Sequence, residues 1–471
     1  MITFENVSFS YENTTGSALH GIDLTIQKGQ CVLLCGESGC GKTTLTRLIN
    51  GLIPHFYEGE LRGEVTVNGN AIAQTPLEVV SQSVGSVFQN PRSQFFCVDT
   101  TGEIAFGPEN RGLPVEEIQA RVSAAAGQLH IQNLLDRNIF GLSGGEKQKI
   151  ACAGVAATDP AIVVLDEPTS NLDETSIAML QEALCLFKSQ GKTIIIAEHR
   201  LGWLATLADR VIALQGGRIT GDFPGAAFFA KDNAELNAMG LRGFTKPGAS
   251  LQSAPGLTCL HPVAPGSAYT LASFTYQYEK GKAALHLAPL HIPCHAIVAV
   301  VGHNGAGKST FSKCLCGLQK GFKGRVTTPQ KIYKGKALKK LCYLVMQDVN
   351  HQLFTDSVWE EVTLGIPEDH ASAAEQALKK MDLWAFRDRH PMSLSGGQKQ
   401  RTAICSATLS DREILIFDEP TSGLDFKRMQ ATAAMMQELS RTKTIFIVTH
   451  DSELIASCCT HVLHMEKDES V

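Results

Sequence analysis

No apolar run in the sequence approaches the 18 or so residues that a membrane-spanning helix requires. The longest candidates, such as Ile194–Ala197 and Ile297–Val301, are the size of strands. The N-terminal stretch MITFENVSFSYE alternates apolar and polar residues as a strand does, without the basic-then-apolar order of a signal peptide. An excess of positive charge is also missing. Lys and Arg number 42 against 47 Asp and Glu, a net charge of −5, which leaves no basic footprint for nucleic acid or an anionic membrane surface. Zinc-type spacing is absent too, although there are 14 cysteines. Cys314 and Cys316, or Cys458 and Cys459, stand too close together for a zinc pair, and no CxxC…CxxC pattern occurs. Cys31, Cys35 and Cys152 lie in apolar segments, where a reduced thiol acts as a small hydrophobe, so the cysteines read as reduced, structural and cytosolic.

What is present is a repeat. At 471 residues the chain is too long for one typical core and suits two or three domains. GESGCGKT at Gly36–Thr43 returns as GHNGAGKS at Gly302–Ser309, with Lys308 offset by 266 from Lys42. LSGGE at Leu142–Glu146 returns as LSGGQ at Leu394–Gln398, and VVLDEPTSNLD returns as LIFDEPTSGLD, both offset by 252. TIIIAEH and TIFIVTH follow, ending in His199 and His450. The order is the same in both halves, and the second is 14 residues shorter between its Gly-rich loop and LSGG. Residues 241–266 contain Pro247, Pro255, Pro262 and Pro265, few charges and no helical period, which predicts a linker between units at 1–240 and 267–471.

Each unit alternates strand and helix. QCVLLCG reads as a strand, followed by the Gly-rich loop and the helix KTTLTRLINGL; AIVVLDE and KTIIIAEH are short Ile/Val-rich runs with polar ends. Buried parallel strands have that composition and carry chemistry at their carboxyl ends. Val115, Ile118, Val122, Ala125 and Leu129 fall on one helical face within the length-variable stretch, which predicts a separate helical subdomain. The expected fold is α/β, with two tandem P-loop NTPase domains, each a mostly parallel sheet core with a helical subdomain.

The pattern G-x-x-x-x-G-K-[ST] lets backbone N–H groups surround phosphate oxygens at a helix N-terminus, where the dipole favours anions. Gly36, Gly39, Gly41, Lys42, Thr43 and Thr44 form one such loop, and Gly302, Gly305, Gly307, Lys308, Ser309 and Thr310 the other. Lys42 and Lys308 would contact the β/γ-phosphates of ATP, and Thr43 and Ser309 would ligate Mg²⁺. Asp166 and Asp418 each close an apolar strand, as a Mg²⁺-positioning carboxylate must, and Glu167 and Glu419 follow where they can aim at an attacking water. His199 and His450 are candidate γ-phosphate contacts. Ser143-x-x-Glu146 and Ser395-x-x-Gln398 have capping-box form. The glycines inside them (Gly144, Gly145, Gly396, Gly397) leave helix N-terminal amides bare to a further anion. Cys40, beside Lys42 and at a helix N-terminus, has two features that favour thiolate, where the second unit has Ala306; a reactive thiol is expected.

Together with Gln89 and Gln347, these motifs resemble the ABC (ATP-binding cassette) ATPase family over essentially the whole chain. The resemblance implies ATP hydrolysis and a head-to-tail sandwich, pairing Lys42 with Ser395 and Lys308 with Ser143. It implies that Gln89 and Gln347 serve catalysis and the metal. It also implies that Tyr11 and Tyr276 stack on adenine; Tyr278 rivals Tyr276, and each could be a core-strand tyrosine instead. In that sandwich Glu146, unlike Gln398, would bring a negative charge near the ATP of Lys308 and weaken its closure. A narrower resemblance is to the energy-coupling factor (ECF) ATPases of vitamin and micronutrient importers. It is carried by VFQNPRSQFF and MQDVNHQLF, whose second glutamines are Gln94 and Gln352, and by GLIPHFYEGELRGEV and EIAFGPENRGLP. Arg92, Ser93 and Val349 depart from that pattern. The ECF resemblance implies a transport ATPase on the cytoplasmic face of the membrane, partnered by an integral membrane coupling protein and a substrate-binding membrane protein, with no nucleic acid. The alternatives are a soluble ABC protein acting on ribosomes or DNA, or the fused ATPase of another importer class. The first calls for a long charged linker or a coiled coil, and the sequence has neither; the second usually has a degenerate second unit, and this one is intact.

Overall fold

The computed structural model describes residues 1–12, 16–88, 93–170, 172–244, 256–261, 267–277, 283–366 and 371–466. Gln89, Arg92, Asn171, Tyr278 and the four linker prolines lie outside them. The chain divides into two compact units, Met1–Thr245 and one comprising Lys246–Leu424 with Arg428–Val471.

The first unit begins with β1 (Ile2–Tyr11), β2 (Leu19–Ile26) and β3 (Cys31–Gly36), then α1 (Lys42–Ile49) and α2 (Leu52–His55). Next come β4 (Gly59–Val67), β5 (Asn70–Ala71), α3 (Leu77–Ser83), β6 (Val84–Val87), α4 (Thr100–Asn110) and α5 (Val115–Gln128). The rest is α6 (Gly144–Thr158), β7 (Ile162–Asp166), α7 (Glu174–Ser189), β8 (Thr193–Ala197), β9 (Arg210–Gln215), β10 (Arg218–Pro224), α8 (Gly225–Phe229) and α9 (Asn233–Ala238). Strands β9-β3-β8-β7-β6 are parallel, with β10 antiparallel at one edge. A second, antiparallel sheet runs β2-β1-β4-β5. The Ile/Val runs of β7 and β8 are buried on both faces, as a parallel sheet between two layers demands.

The second unit repeats this plan. It consists of β11 (Gly256–Cys259), β12 (Ala268–Gln277), β13 (Ala283–Leu287), β14 (Leu290–Pro293), β15 (Ile297–Val301), α10 (Lys308–Leu315), β16 (Lys323–Thr327), β17 (Ile332–Lys334) and β18 (Cys342–Val345). After these come α11 (Val358–Thr363), α12 (Ala371–Lys380), α13 (Gly396–Leu409), β19 (Ile414–Asp418), α14 (Phe426–Leu439), β20 (Thr444–Val448), α15 (Ser452–Cys458) and β21 (His461–His464). Strands β21-β15-β20-β19-β18 are parallel.

Two expectations need correction. The stretch 241–266 is not linker throughout. Leu241 and Arg242 are buried in the first unit. Gly256–Cys259 is a strand antiparallel to β21, covering the edge that β10 covers in the first unit. A four-residue edge strand is too short to show a period, and the prolines flanking it pointed to a loop. In the helical subdomain, α5 buries Val122 and Ala125, with Leu129 just past its end, and Ile118 packs alongside. Val115, however, is 68% exposed, because it is the first residue after the cap and precedes the contact face.

Candidate active site

In each unit the Gly-rich loop joins the central strand to a helix starting at the lysine. Gly41 (φ 107°) and Gly307 (φ 90°) cap α1 and α10 in the left-handed region, where only glycine is unstrained. Gly36 and Gly302 (φ 148° and 149°) are required for space as well: a Cβ there would collide with the backbone oxygens of Leu214 and Met465. Lys42 Nζ lies 2.9 Å from Gly36 O and 3.1 Å from Glu37 O, and Lys308 Nζ 2.6 Å from Gly302 O and 3.0 Å from His303 O. Both ammoniums thus sit within the curl of their own loops, and Lys42 is only 4% exposed.

Thr43 Oγ1 donates to Asp166 Oδ1 at 3.1 Å, and Ser309 Oγ to Asp418 Oδ2 at 3.2 Å. Burial, followed by the charge of Glu167, pushes the Asp166 carboxyl up to about 6; burial also raises Asp418. A hydroxyl and a buried carboxylate at hydrogen-bond distance are hard oxygen donors that a cation would relieve of their desolvation cost, so the residues fit Mg²⁺. The next residues, Glu167 and Glu419, have φ of 45° and 49°, rare for a side chain of that size. In both units the strained residue is secured by its own N–H, which donates to the last carbonyl of the neighbouring strand (Ala197 O and Val448 O, each 2.8 Å). Glu167 Oε1 is 3.2 Å from His199 Nε2, and Glu419 Oε1 is 3.9 Å from His450 Nε2. Burial, aided by Lys42, holds His199 well below its ordinary range, so the ring is neutral. Its Nε2, also 3.3 Å from Lys42 Nζ, either accepts from the ammonium or donates to the carboxylate.

Both capping boxes are formed. Ser143 Oγ accepts from the N–H of residue 146 and Glu146 Oε2 from the N–H of residue 143; Ser395 and Gln398 do the same. Ser143, Gly144, Ser395 and Gly396 are exposed at their helix starts, while Gly145 is packed against Ser176. Tyr11 is half-buried, edge-on to Phe9 and Tyr57, with its hydroxyl 3.2 Å from Thr44 Oγ1 and 3.0 Å from Arg47 Nη1. Tyr276 is hydrogen-bonded to Gln319. Gln347 is exposed just past β18.

Three readings of the sequence missed or misjudged a role. Burial raises the Cys40 thiol despite the nearby Lys42 charge, and its sulfur is buried against Gly36, so the thiolate expected there is corrected to a protonated packing group. Gln94 and Gln352, which carry the ECF resemblance, serve their own loops in a way the sequence did not show. Gln94 ties Phe88 N (3.2 Å) to Ser86 O (3.0 Å), and Gln352 ties Met346 N (3.1 Å) to Leu344 O (3.1 Å). Glu198 and Asp451, acids flanking the histidines, were overlooked: Glu198 accepts from Thr169 Oγ1 (2.5 Å) and Asp451 from Thr421 Oγ1 (2.7 Å), fastening the histidine turns to the strand-end loops.

The family model described as "ABC transporter" matches residues 19–170 and 285–422, more than half of the chain. The chain belongs to the ABC transporter family. It is an ATP-binding, ATP-hydrolysing member with two ABC domains, the ATP-binding protein of a transporter. A Treponema denticola protein named as a candidate ABC transporter ATP-binding protein is 46% identical over 98% of this chain and 95% of its own length. A Bacillus subtilis protein, YkoD, named as a candidate HMP/thiamine import ATP-binding protein, is 32% identical over 98% of this chain and 89% of its own. In a solved structure of ribosome-bound archaeal Pelota and ABCE1, one chain matches 97% of this ABC protein and 76% of itself, with a TM-score of 0.69. At 20% identity that likeness concerns the fold alone. Among the described residues of the ABC protein, no helix is long and apolar enough to cross a membrane.

Proposed function

We propose that the chain is the energy-coupling ATPase of an ECF-type importer for a vitamin or micronutrient, working at the cytoplasmic face of the membrane with an integral coupling protein and a substrate-binding membrane protein. The observation that carries the reading is a repeated exposed aromatic. Phe96 and Phe354 are 75% and 73% exposed, yet the backbone at each is tied to a buried glutamate. The buried Glu103 accepts from Phe96 N (2.9 Å) and Cys97 N (2.8 Å), and the buried Glu361 from Phe354 N (2.9 Å) and Thr355 N (3.1 Å). A large exposed apolar side chain on anchored backbone, present in both units and in the first stacked on Phe106, suits a docking contact with apolar helices of a membrane partner. The import name of the Bacillus relative supports the same direction.

In this reading Lys42 and Lys308 bind the β/γ-phosphates, and Thr43 with Asp166, and Ser309 with Asp418, hold Mg²⁺, which would neutralise phosphate charge. Glu167 and Glu419 orient the attacking water and accept its proton, and His199 and His450 contact the γ-phosphate. Gln89 and Gln347 are assigned to the metal and the water, and Tyr11 and Tyr276 to adenine. From the family resemblance, Ser143 and Ser395 with their glycines are assigned to ATP. The test is purification of the whole chain from membranes, with photo-crosslinkers at Phe96→Cys and Phe354→Cys. Cross-links to integral membrane proteins are expected; cross-links to ribosomal proteins would overturn the reading.

A further inference from the structure

Beyond β9 the first unit continues through β10, α8 and α9 to a short strap, Gly240–Phe244, with no counterpart among the described residues of the second unit. The strap lies outside the residues matched by the family model. At one end Gly240, at φ 74°, lies against the P-loop residue Glu37, whose Oε1 would be 2.7 Å from a Cβ there. At the other end Phe244 O is 3.3 Å from the position of a Cβ on Gly202, three residues past His199. Phe244 is anchored by its ring, packed on Phe228 and Phe229, and by its N–H, which donates to Asn233 Oδ1 at 3.2 Å. The strap therefore runs from the phosphate loop to the histidine turn. Midway along it, Arg242 is only 4% exposed.

We propose that Arg242 is a positioning residue of the first ATP site, a buried positive charge carried by the strap that joins the P-loop to the histidine turn. This rests on the reading of Glu167 as the residue that orients water. Arg242 stands two residues from the strap's contact with Glu37 and two from its contact with Gly202, so its backbone is held between the loop of Lys42 and the turn of His199. A guanidinium so placed stays charged at every working pH and needs no reorganisation as charge develops on a γ-phosphate.

The experiment uses the full chain with the second site disabled by Glu419→Gln, and measures kcat, KM for ATP and Tm for Arg242→Met, Arg242→Lys and Glu167→Gln. Arg242→Met should lower kcat roughly tenfold or more with KM changed less than threefold. Arg242→Lys should recover most of kcat while its Tm stays as low as that of Arg242→Met, since the ammonium restores the charge but not the guanidinium packing. If kcat stays within twofold in Arg242→Met, or if Lys and Met lower it equally, the charge has no positioning role and the proposal falls. Glu167→Gln separates the two claims: a large loss of kcat there beside an active Arg242→Met overturns only the strap proposal, whereas unchanged turnover in Glu167→Gln overturns the reading it rests on.

Discussion

The two units build the phosphate end of the site alike and differ in how its immediate surroundings are tied down. Both place a lysine within its loop, a hydroxyl against a strand-end carboxylate, and a left-handed glutamate tied to the next strand. Around that shared centre the first unit brings histidine and glutamate to 3.2 Å where the second leaves 3.9 Å, and fastens its histidine turn with Glu198 rather than Asp451. The edge of one sheet is closed by a strand that follows it, the edge of the other by a strand that precedes it. Chemistry on a triphosphate fixes a few atoms tightly, while any arrangement that satisfies the remaining backbone and buried charge will serve.

The largest effect should come from breaking what is shared. Replacing Glu167 and Glu419 together by Gln keeps shape and removes both proton acceptors, so ATP turnover should fall by about 10²–10⁴. Steady-state phosphate release is the measurement, and each single variant reports the share of one unit. A smaller effect should separate the units. At Gly145 a Cβ would collide with Ser176 Oγ and lie 3.0 Å from its Cβ, whereas at Gly397 the nearest atom, Leu424 Cδ2, is 3.7 Å away. Gly145→Ala should therefore cost about 1–3 kcal/mol through overpacking, and Gly397→Ala should be neutral or gain up to about 1 kcal/mol of helix propensity. Denaturant midpoints of the two variants measure the difference, and equal shifts would show that the α6–α7 contact is not tighter in the first unit.

The smallest effect concerns Glu146 and Gln398, which close their capping boxes in the same way. Glu146→Gln should cost stability only about 0.3–1 kcal/mol, the worth of a carboxylate at a helix N-terminus. It should tighten ATP binding at the Lys308 site severalfold, a gain that shrinks with added salt. Nucleotide titration with Lys42 replaced isolates that site. Unchanged or weaker affinity would mean that the Glu146 charge does not act on the nucleotide.

How much could be read from the sequence follows from how far each feature reaches along the chain. Strand, loop and helix around each lysine, and both capping boxes, depend on residues within a few positions of one another, and local rules found them. The parallel cores were legible because β7, β8, β19 and β20 are Ile/Val runs that make sense only when buried on both faces. Cys40 was misread because helix N-terminus and lysine were visible in the sequence but its burial, set in part by Gly36, was not. The tie that Gln94 makes was not legible, because nothing in its spacing shows that its amide turns back on Ser86 and Phe88. Arg242 and the β11 edge strand fell in a stretch whose prolines suggested a linker, and only tertiary packing gives them a place.

The central claim is that two complete nucleotide sites share one chain. Counting nucleotides bound by the Glu167→Gln, Glu419→Gln chain tests it directly, by equilibrium dialysis with MgATP at saturation. Two ATP per chain, reduced to one by replacing either Lys42 or Lys308, is the predicted result; one ATP per chain before either lysine is replaced would contradict it.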